Sequence, residues 1–205
     1  DHHAQAPVST VDEVVVTHLV TSVILIFRVR IEIDVAVLRP DLSVCVIEKS
    51  STIGAHILSG AVIEPGPLDA LLPGWRDNPP PVCVPAGEDE FWMLTKTGGY
   101  KLPVVPPQLK NHGNFIVSLS AMCAWMAPQA EALGVEIYPG FAAAEPLYDE
   151  ATGAVAGVRI GDMGVARDGT HKQTYTQGID IRAKVTVLAE GARGHLTKRL
   201  LKRFE

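Results

Sequence analysis

Two short apolar runs, each opening into a glycine turn, organise the chain. Val44-Cys45-Val46-Ile47 closes on Glu48 ahead of KSSTIGAHILSGAVIEP, and Val185-Thr186-Val187-Leu188-Ala189 leads into EGARGHL. Each reads as a strand followed by a tight turn. Between Val29 and Val37 the apolar residues Val29, Ile31, Ile33, Val35 and Val37 alternate with Arg30, Glu32, Asp34 and Ala36, the two-residue period of a half-buried strand. Prolines 79, 80, 81 and 85 predict a surface loop over 76–87 that cannot donate to a sheet ladder. The spacing of Met122, Trp125, Met126, Ala130 and Leu133 predicts a helix over 118–133, capped by Ser118, stopped at Gly134 and kinked at Pro128. Strands are expected at 115–119, 135–138, 143–148, 155–160, 179–183 and 185–189, with a turn at 150–153 and a glycine-rich loop from Gly161 to Gly169. Leu196, Leu200 and Phe204 share one face of a closing amphipathic helix over 195–204 whose other faces carry Lys198, Arg199, Lys202 and Arg203. Residues 1–10 are polar and read as a loose tail.

A hydrophobic content of 47% with 20% charged residues over 205 positions excludes a disordered chain and allows a sizeable core. The net charge of −5 gives no basic surface for nucleic acid. Cys45, Cys83 and Cys123 form no Cys-x-x-Cys pair, so neither a disulfide framework nor a metal or iron–sulfur site is indicated, and a reducing compartment fits. The apolar run from Val14 to Phe27 contains Thr17, His18, Thr21 and Ser22 and is too short to span a membrane, while Asp12 and Glu13 replace the basic flank of a signal peptide. The first residue is Asp1, so a processed N-terminus or a piece of a longer protein is expected.

Candidate chemistry gathers after the strands. Glu48 at a strand end suits the vicinal hydroxyls of a ribose, because a carboxylate accepts two hydrogen bonds, or it is an ordinary solvated acid. Gly54, Ser59 and Gly60 let a backbone approach a ligand closely, and His56 is either a donor to that ligand or a solvated loop histidine. Ala189, Gly191 and Arg193 sit where a strand meets a helix, the edge at which open α/β sheets bind ligands; Arg193 is a phosphate partner or a surface charge. Asn111-His112-Gly113-Asn114 is a substrate-domain loop or a plain hairpin connection. Trp75, Trp92 and Trp125 read as core or interface aromatics. No serine–histidine–acid set and no glycosidase carboxylate pair emerges.

Read in order, IEKSSTIGAHILSGAVIEP, NHGNFIVSLSAMCAWMAPQAEALGVEIYPGFAAAEPLYDE, GDMGVARDGT and VLAEGARGHLTKRL closely resemble the N-terminal half of the electron transfer flavoprotein–ubiquinone oxidoreductase family, over about residues 41–204. The resemblance implies an α/β chain with a Rossmann-like FAD-binding domain of the two-domain flavoprotein type and an inserted, incomplete β-rich quinone domain. Residues 11–75 would be the first part of the FAD domain, with 17–40 atypical, 76–117 the inserted segment, and 118–205 the continuation. It implies electrons received from reduced electron transfer flavoprotein, held on FAD and a [4Fe–4S] cluster and passed to ubiquinone at the inner membrane, on the bacterial cytoplasmic face or the mitochondrial matrix face. Glu48 would hold the adenosine ribose, Gly54, His56, Ser59 and Gly60 would approach FAD, the backbone around Ala143 would meet the adenine, and Ala189, Gly191 and Arg193 would complete the cofactor wall. In the family a region similar to Ile57–Trp75 dips into one leaflet, which implies monotopic membrane contact. The segments GAHILSGAVIEP and EIYPGFAAAE argue against a related flavin-dependent reductase or monooxygenase.

Two departures bear on these expectations. After Val14-Val15-Val16 the family carries a Gly-x-Gly-x-x-Gly turn and a helix for the FAD diphosphate, whereas THLVTSVILIFRVRIEIDVAVLRP stands here, of about the same length, as if the gene were read differently over this stretch. The four cysteines that hold the cluster in the family fall outside these 205 residues. A chain with no catalysis of its own, folding partly and at most binding a membrane or a partner, is the alternative expectation.

Overall fold

The computed structural model describes residues 9–10, 13–17, 43–191 and 194–205. Its centre is a parallel four-stranded sheet formed by β2 (Glu13–Thr17), β3 (Ser43–Glu48), β9 (Val135–Pro139) and β15 (Val185–Leu188), in the order β15-β2-β3-β9. β3 is flanked by a strand on each edge and buried along its length, which is why its sequence is a continuous apolar run. Alternation along β3 sends successive side chains to opposite faces. Cys45 and Ile47 join a core with Val158, Ile160 and Ile181, while Val44 and Val46 pack with Ala130 and Val135.

Those two cores define three layers. Above the parallel sheet lies a second sheet of β1 (Ser9–Thr10), β14 (Asp180–Arg182), β11 (Val155–Ile160) and β10 (Ala143–Tyr148). Below it runs a helix, Leu119–Glu131, whose side-chain cap is Ser118: the hydroxyl accepts from the Ala121 amide at 3.3 Å. This helix is numbered α2, after α1 (Pro65–Leu71), and α3 is His195–Phe204. The far end of α2 packs a third apolar cluster with a three-stranded antiparallel sheet, β4 (Gly60–Ile63), β8 (Phe115–Ser118) and β5 (Cys83–Pro85), in the order β4-β8-β5. Two hairpins complete the chain: β6 (Trp92–Leu94) with β7 (Gly99–Lys101), and β12 (Met163–Val165) with β13 (His171–Thr176).

Several expectations change. Ser9 and Thr10, read as part of a tail, pair in parallel with Ile181 and Arg182. The proline-rich stretch contains β5, tolerated because β5 is an edge strand and Pro85 is its last residue. The Gly161–Gly169 loop is half of a hairpin, since β12 turns back onto β13. Helix α2 continues past Pro128 to Glu131, three residues after the missing donor, so the proline falls in the last turn and does not interrupt it. Phe115–Leu119 ends as a strand at Ser118, whose hydroxyl starts the helix. The strand expected over 29–37 lies outside the described residues.

Trp75 is a core residue, 4% exposed, packed edge-on to Phe115 at 5.2 Å with its indole donating to Asp69 at 2.7 Å. Trp125 is half-buried and its indole donates to the Asn78 carbonyl at 3.1 Å. Trp92 is not a core aromatic: it stands 47% exposed on the β6–β7 hairpin.

Candidate site at the carboxyl edge of the parallel sheet

Register fixes what meets at the sheet's carboxyl edge. Leu188 pairs with Thr17, Thr17 with Ile47, and Glu48 with Pro139, so β15 and β3 finish level on either side of β2. Glu48 and the turn Ala189-Glu190-Gly191 therefore emerge on one side of the sheet with a single strand between them. This is the place at which parallel α/β sheets present ligand-binding loops.

Glu48 is not the solvated acid of the plainer reading. It is 1% exposed, and Oε1 accepts from the Ser50 amide at 2.7 Å and from the Ser50 hydroxyl at 2.8 Å. Burial of a carboxyl group is tolerated where hydrogen bonds replace its water. The Ser50 carbonyl in turn accepts from the Gly140 amide at 2.7 Å, tying the loop after β3 to the end of β9.

Beyond Glu48 a cleft of about 490 Å³ opens, lined by Lys49, Ala142–Glu145, Arg159–Asp162, His195 and Arg199. Its floor is an irregularity in the sheet. The pairing of β10 with β11 steps from Ala143–Ile160 to Glu145–Arg159, so Ala144 is an extra residue bulged out of the ladder. One wall is ionic: the Arg159 guanidinium makes two contacts to the Asp180 carboxylate, at 2.6 and 2.9 Å, and Arg199 reaches Glu145 at 3.1 Å. The Arg159 hydrogen bonds hold the Asp180 carboxyl below the usual carboxylate range, against the opposing effect of burial. Arg203 lies over the Tyr148 ring at 3.9 Å, so two of the four basic residues of α3 fasten the helix to β10.

The turn after β15 is held from within. Glu190 caps α3: Oε1 accepts from the amides of His195 and Leu196 at 3.1 Å each, and Oε2 from the Thr197 amide at 2.8 Å. A carboxylate there suits both the unpaired first-turn donors and the positive end of the helix dipole. Gly191 turns with φ +75° beside it, and Ala189 is buried. Arg193 lies outside the described residues.

The segment 54–60 does something other than expected with its glycines. Gly54, at φ +80°, packs against α2 so closely that an added Cβ would meet the Ser120 carbonyl at 2.6 Å, and at Gly60 it would meet the Val117 carbonyl at 2.8 Å. The close approach they permit is to the chain's own backbone. His56 and Ser59 are exposed on the same turn, and Leu58 projects from it 98% exposed. Of the apolar residues between Ile57 and Trp75, Ile57, Ile63, Leu68 and Trp75 are buried, so that stretch is mainly core. The Asn114 amide closes the turn by donating to the Asn111 carbonyl at 2.9 Å, and Asn111 ties that turn to a distant loop, its backbone and side-chain amides donating to Asp89 at 2.6 and 2.9 Å. Lys49, Ser50, His195 and Arg199 were not singled out from sequence. Lys49 and Ser50 follow Glu48 directly, but nothing in spacing shows a serine turning back on an acid two residues earlier.

No group of His, Cys, Asp and Glu side chains among the described residues is placed to hold a metal ion. No described helix is long and apolar enough to cross a membrane.

No protein-family model matches the chain. Among solved structures it is similar to the myxobacterial chondrochloren halogenase, described as a variant of FAD-dependent halogenases (TM-score 0.57, 14% identity, 90% of this chain and 38% of that one). It is also similar to a geranylgeranyl bacteriochlorophyll reductase-like protein of Thermoplasma acidophilum (TM-score 0.55, 14% identity, 87% and 39%). At such identities the likeness concerns the fold alone, and the fold is the Rossmann-like α/β arrangement of FAD-dependent enzymes. In sequence it is 50% identical over 162 residues to the mitochondrial electron transfer flavoprotein–ubiquinone oxidoreductase of Oryza sativa, covering 79% of this chain and 28% of that protein. The enzyme of the same name from Mus musculus is 47% identical over 166 residues, 80% of this chain and 27% of that one. The chain thus spans under a third of the length of these relatives, and over that span the curated relatives it resembles, at 44–50% identity, all carry the name electron transfer flavoprotein–ubiquinone oxidoreductase.

Proposed function

We propose that this chain supplies the adenosine-binding part of an FAD site in a flavoprotein that passes electrons from reduced electron transfer flavoprotein to ubiquinone. The observation that carries the reading is the shared carboxyl edge: Glu48 and the Gly191 turn flank β2 at one level, and the cleft at Lys49 and Ala142–Ala144 opens beside Glu48. A ribose diol on the Glu48 carboxylate directs an adenine toward the cleft lined by Ala142–Ala144. Gly54, His56, Ser59 and Gly60 lie along the next turn, toward the flavin end. Ala189 and Gly191 form the opposite wall.

The residues present fit the adenosine half of FAD. The diphosphate half falls on 17–40, most of which lies outside the described residues and which lacks the glycines that let backbone amides approach phosphate. Bound FAD supplies the redox chemistry, and the chain's part is binding, orientation and exclusion of water. A [4Fe–4S] cluster has no ligand set among the described residues, so no step is assigned to one. The proposed division at 75/76 and 117/118 takes β5, the β6–β7 hairpin and β8 up to Val117 as an inserted segment whose sheet is completed by β4.

For the whole protein we propose electron transfer flavoprotein and ubiquinone as partners, and contact with the surface of the inner membrane. Supporting the last are Leu58 and the outward row Val62, Ile116 and Val84, aligned across β4, β8 and β5 and each about half exposed.

Flavin absorbance and ADP binding of the purified chain test the reading together. It is expected to bind ADP, to retain far less than one FAD per chain, and to reduce no ubiquinone by itself. A purified protein with near-stoichiometric flavin would contradict the loss of diphosphate grip, and absence of ADP binding would contradict the adenosine site.

A further inference from the structure

Glu48 and Ser50 are the buried polar pair of the described residues, 1% and 2% exposed, on either side of Lys49, which lines the cleft of the proposed adenosine site. Both contacts from Ser50 converge on one carboxylate oxygen: amide and hydroxyl meet Oε1 at 2.7 and 2.8 Å. The hydroxyl also lies 2.6 Å from the Thr52 carbonyl. A serine hydroxyl has one proton, so it serves Glu48 or Thr52 at any moment. The Ser50 main chain is itself fixed, because its carbonyl accepts from Gly140 at the end of β9.

We propose that Ser50 is a positioning residue for ribose recognition, its hydroxyl and amide together setting the rotamer in which the Glu48 carboxylate meets a vicinal diol. The inference rests on the ribose reading of Glu48 given above. A glutamate side chain has three rotatable bonds, and presenting both oxygens to two adjacent hydroxyls requires one orientation of the carboxylate plane. Two donors on Oε1 help to set that plane, and removing the hydroxyl removes one of them. Because Thr52 accepts the hydroxyl proton whenever Glu48 does not, the serine stays hydrogen-bonded as the carboxylate adjusts to a ligand. The effect of Ser50 therefore falls on selectivity for the diol more than on stability.

The test compares ADP with 2′-deoxy-ADP on the full 205-residue chain by ligand-detected NMR titration, in the wild type, Ser50→Ala and Ser50→Thr, with a thermal melt of each. The wild type is expected to prefer ADP by about tenfold, the order for one hydrogen bond to a charged group. Ser50→Ala should lose most of that preference while still binding the deoxynucleotide as the wild type does, and Ser50→Thr, which keeps the hydroxyl, should retain it. The affinity ratio is taken within one variant, so a general loss of folded protein cancels. If Ser50→Ala does not melt cooperatively, Ser50→Gly is read in the same way. Full preference for ADP in a folded variant without the hydroxyl overturns the positioning role and leaves the ribose reading standing. A wild type that does not distinguish the nucleotides overturns the ribose reading, and the role of Ser50 with it.

Discussion

Glu190 holds Thr197 twice, Oε2 accepting from the Thr197 amide at 2.8 Å and from its hydroxyl at 3.1 Å, across the turn that contains Gly191. An acid that ends the β15 turn thus also starts the next helix. Gly194 admits it, because a Cβ there would meet Glu190 Oε2 at 2.6 Å. Glu190→Ala should destabilise the chain by about 1–2 kcal/mol, the range for loss of an N-terminal cap, read as a lower denaturant midpoint at unchanged slope. Glu190→Gln, which keeps the acceptor but not the charge, should lose less.

Gly54→Ala tests the close packing of the 54–60 turn against α2. With φ at +80° and the Ser120 carbonyl 2.6 Å from the new Cβ, the cost should be about 1–3 kcal/mol of stability. A variant as stable as the wild type, judged by thermal melting, would show that the turn does not sit on the helix.

Acid should weaken the layer that carries the cleft. Hydrogen bonds from Arg159 depress the Asp180 carboxyl in the folded chain, so the stability they contribute is fully present above the unfolded value of about 3.9 and is lost as pH falls through the lower folded value. Melting temperature should therefore drop as pH is lowered below about 4, and Asp180→Asn should flatten that drop while lowering stability at neutral pH. Equal acid dependence in both proteins would remove the ion pair from the account.

Leu58 is the most exposed large apolar side chain among the described residues. Leu58→Glu combined with Ile116→Glu should reduce flotation with anionic vesicles without lowering the melting temperature, since neither side chain is buried. Unchanged flotation would place any membrane contact elsewhere.

Sequence reached the strands that are contiguous and apolar, because a strand buried on both faces leaves no polar position to confuse the pattern. Val44–Glu48 is of this kind; Val185–Leu188 is an edge strand with Val185 exposed, read from its apolar run alone, and the amphipathic helix 195–204 was read from its one-sided periodicity, with bounds that agree with the structure. Short strands were missed where pairing alone makes them: Trp92–Leu94 and Gly99–Lys101 are exposed on both faces, and Cys83–Pro85 sits among prolines. The site was legible as residue types at strand ends but not as geometry. Glu48 could be placed by its strand, whereas its burial, the Ser50 contacts and the reach of Arg199 to Glu145, 54 positions away, depend on the folded chain.

The most direct measurement maps ADP onto the isotopically labelled chain by amide chemical shifts. The account predicts saturable shifts concentrated at Lys49, Ser50, Ala142–Ala144 and Gly191, lost in Glu48→Ala. Shifts confined to other surfaces, or a Glu48→Ala variant that binds ADP as the wild type does, would contradict it.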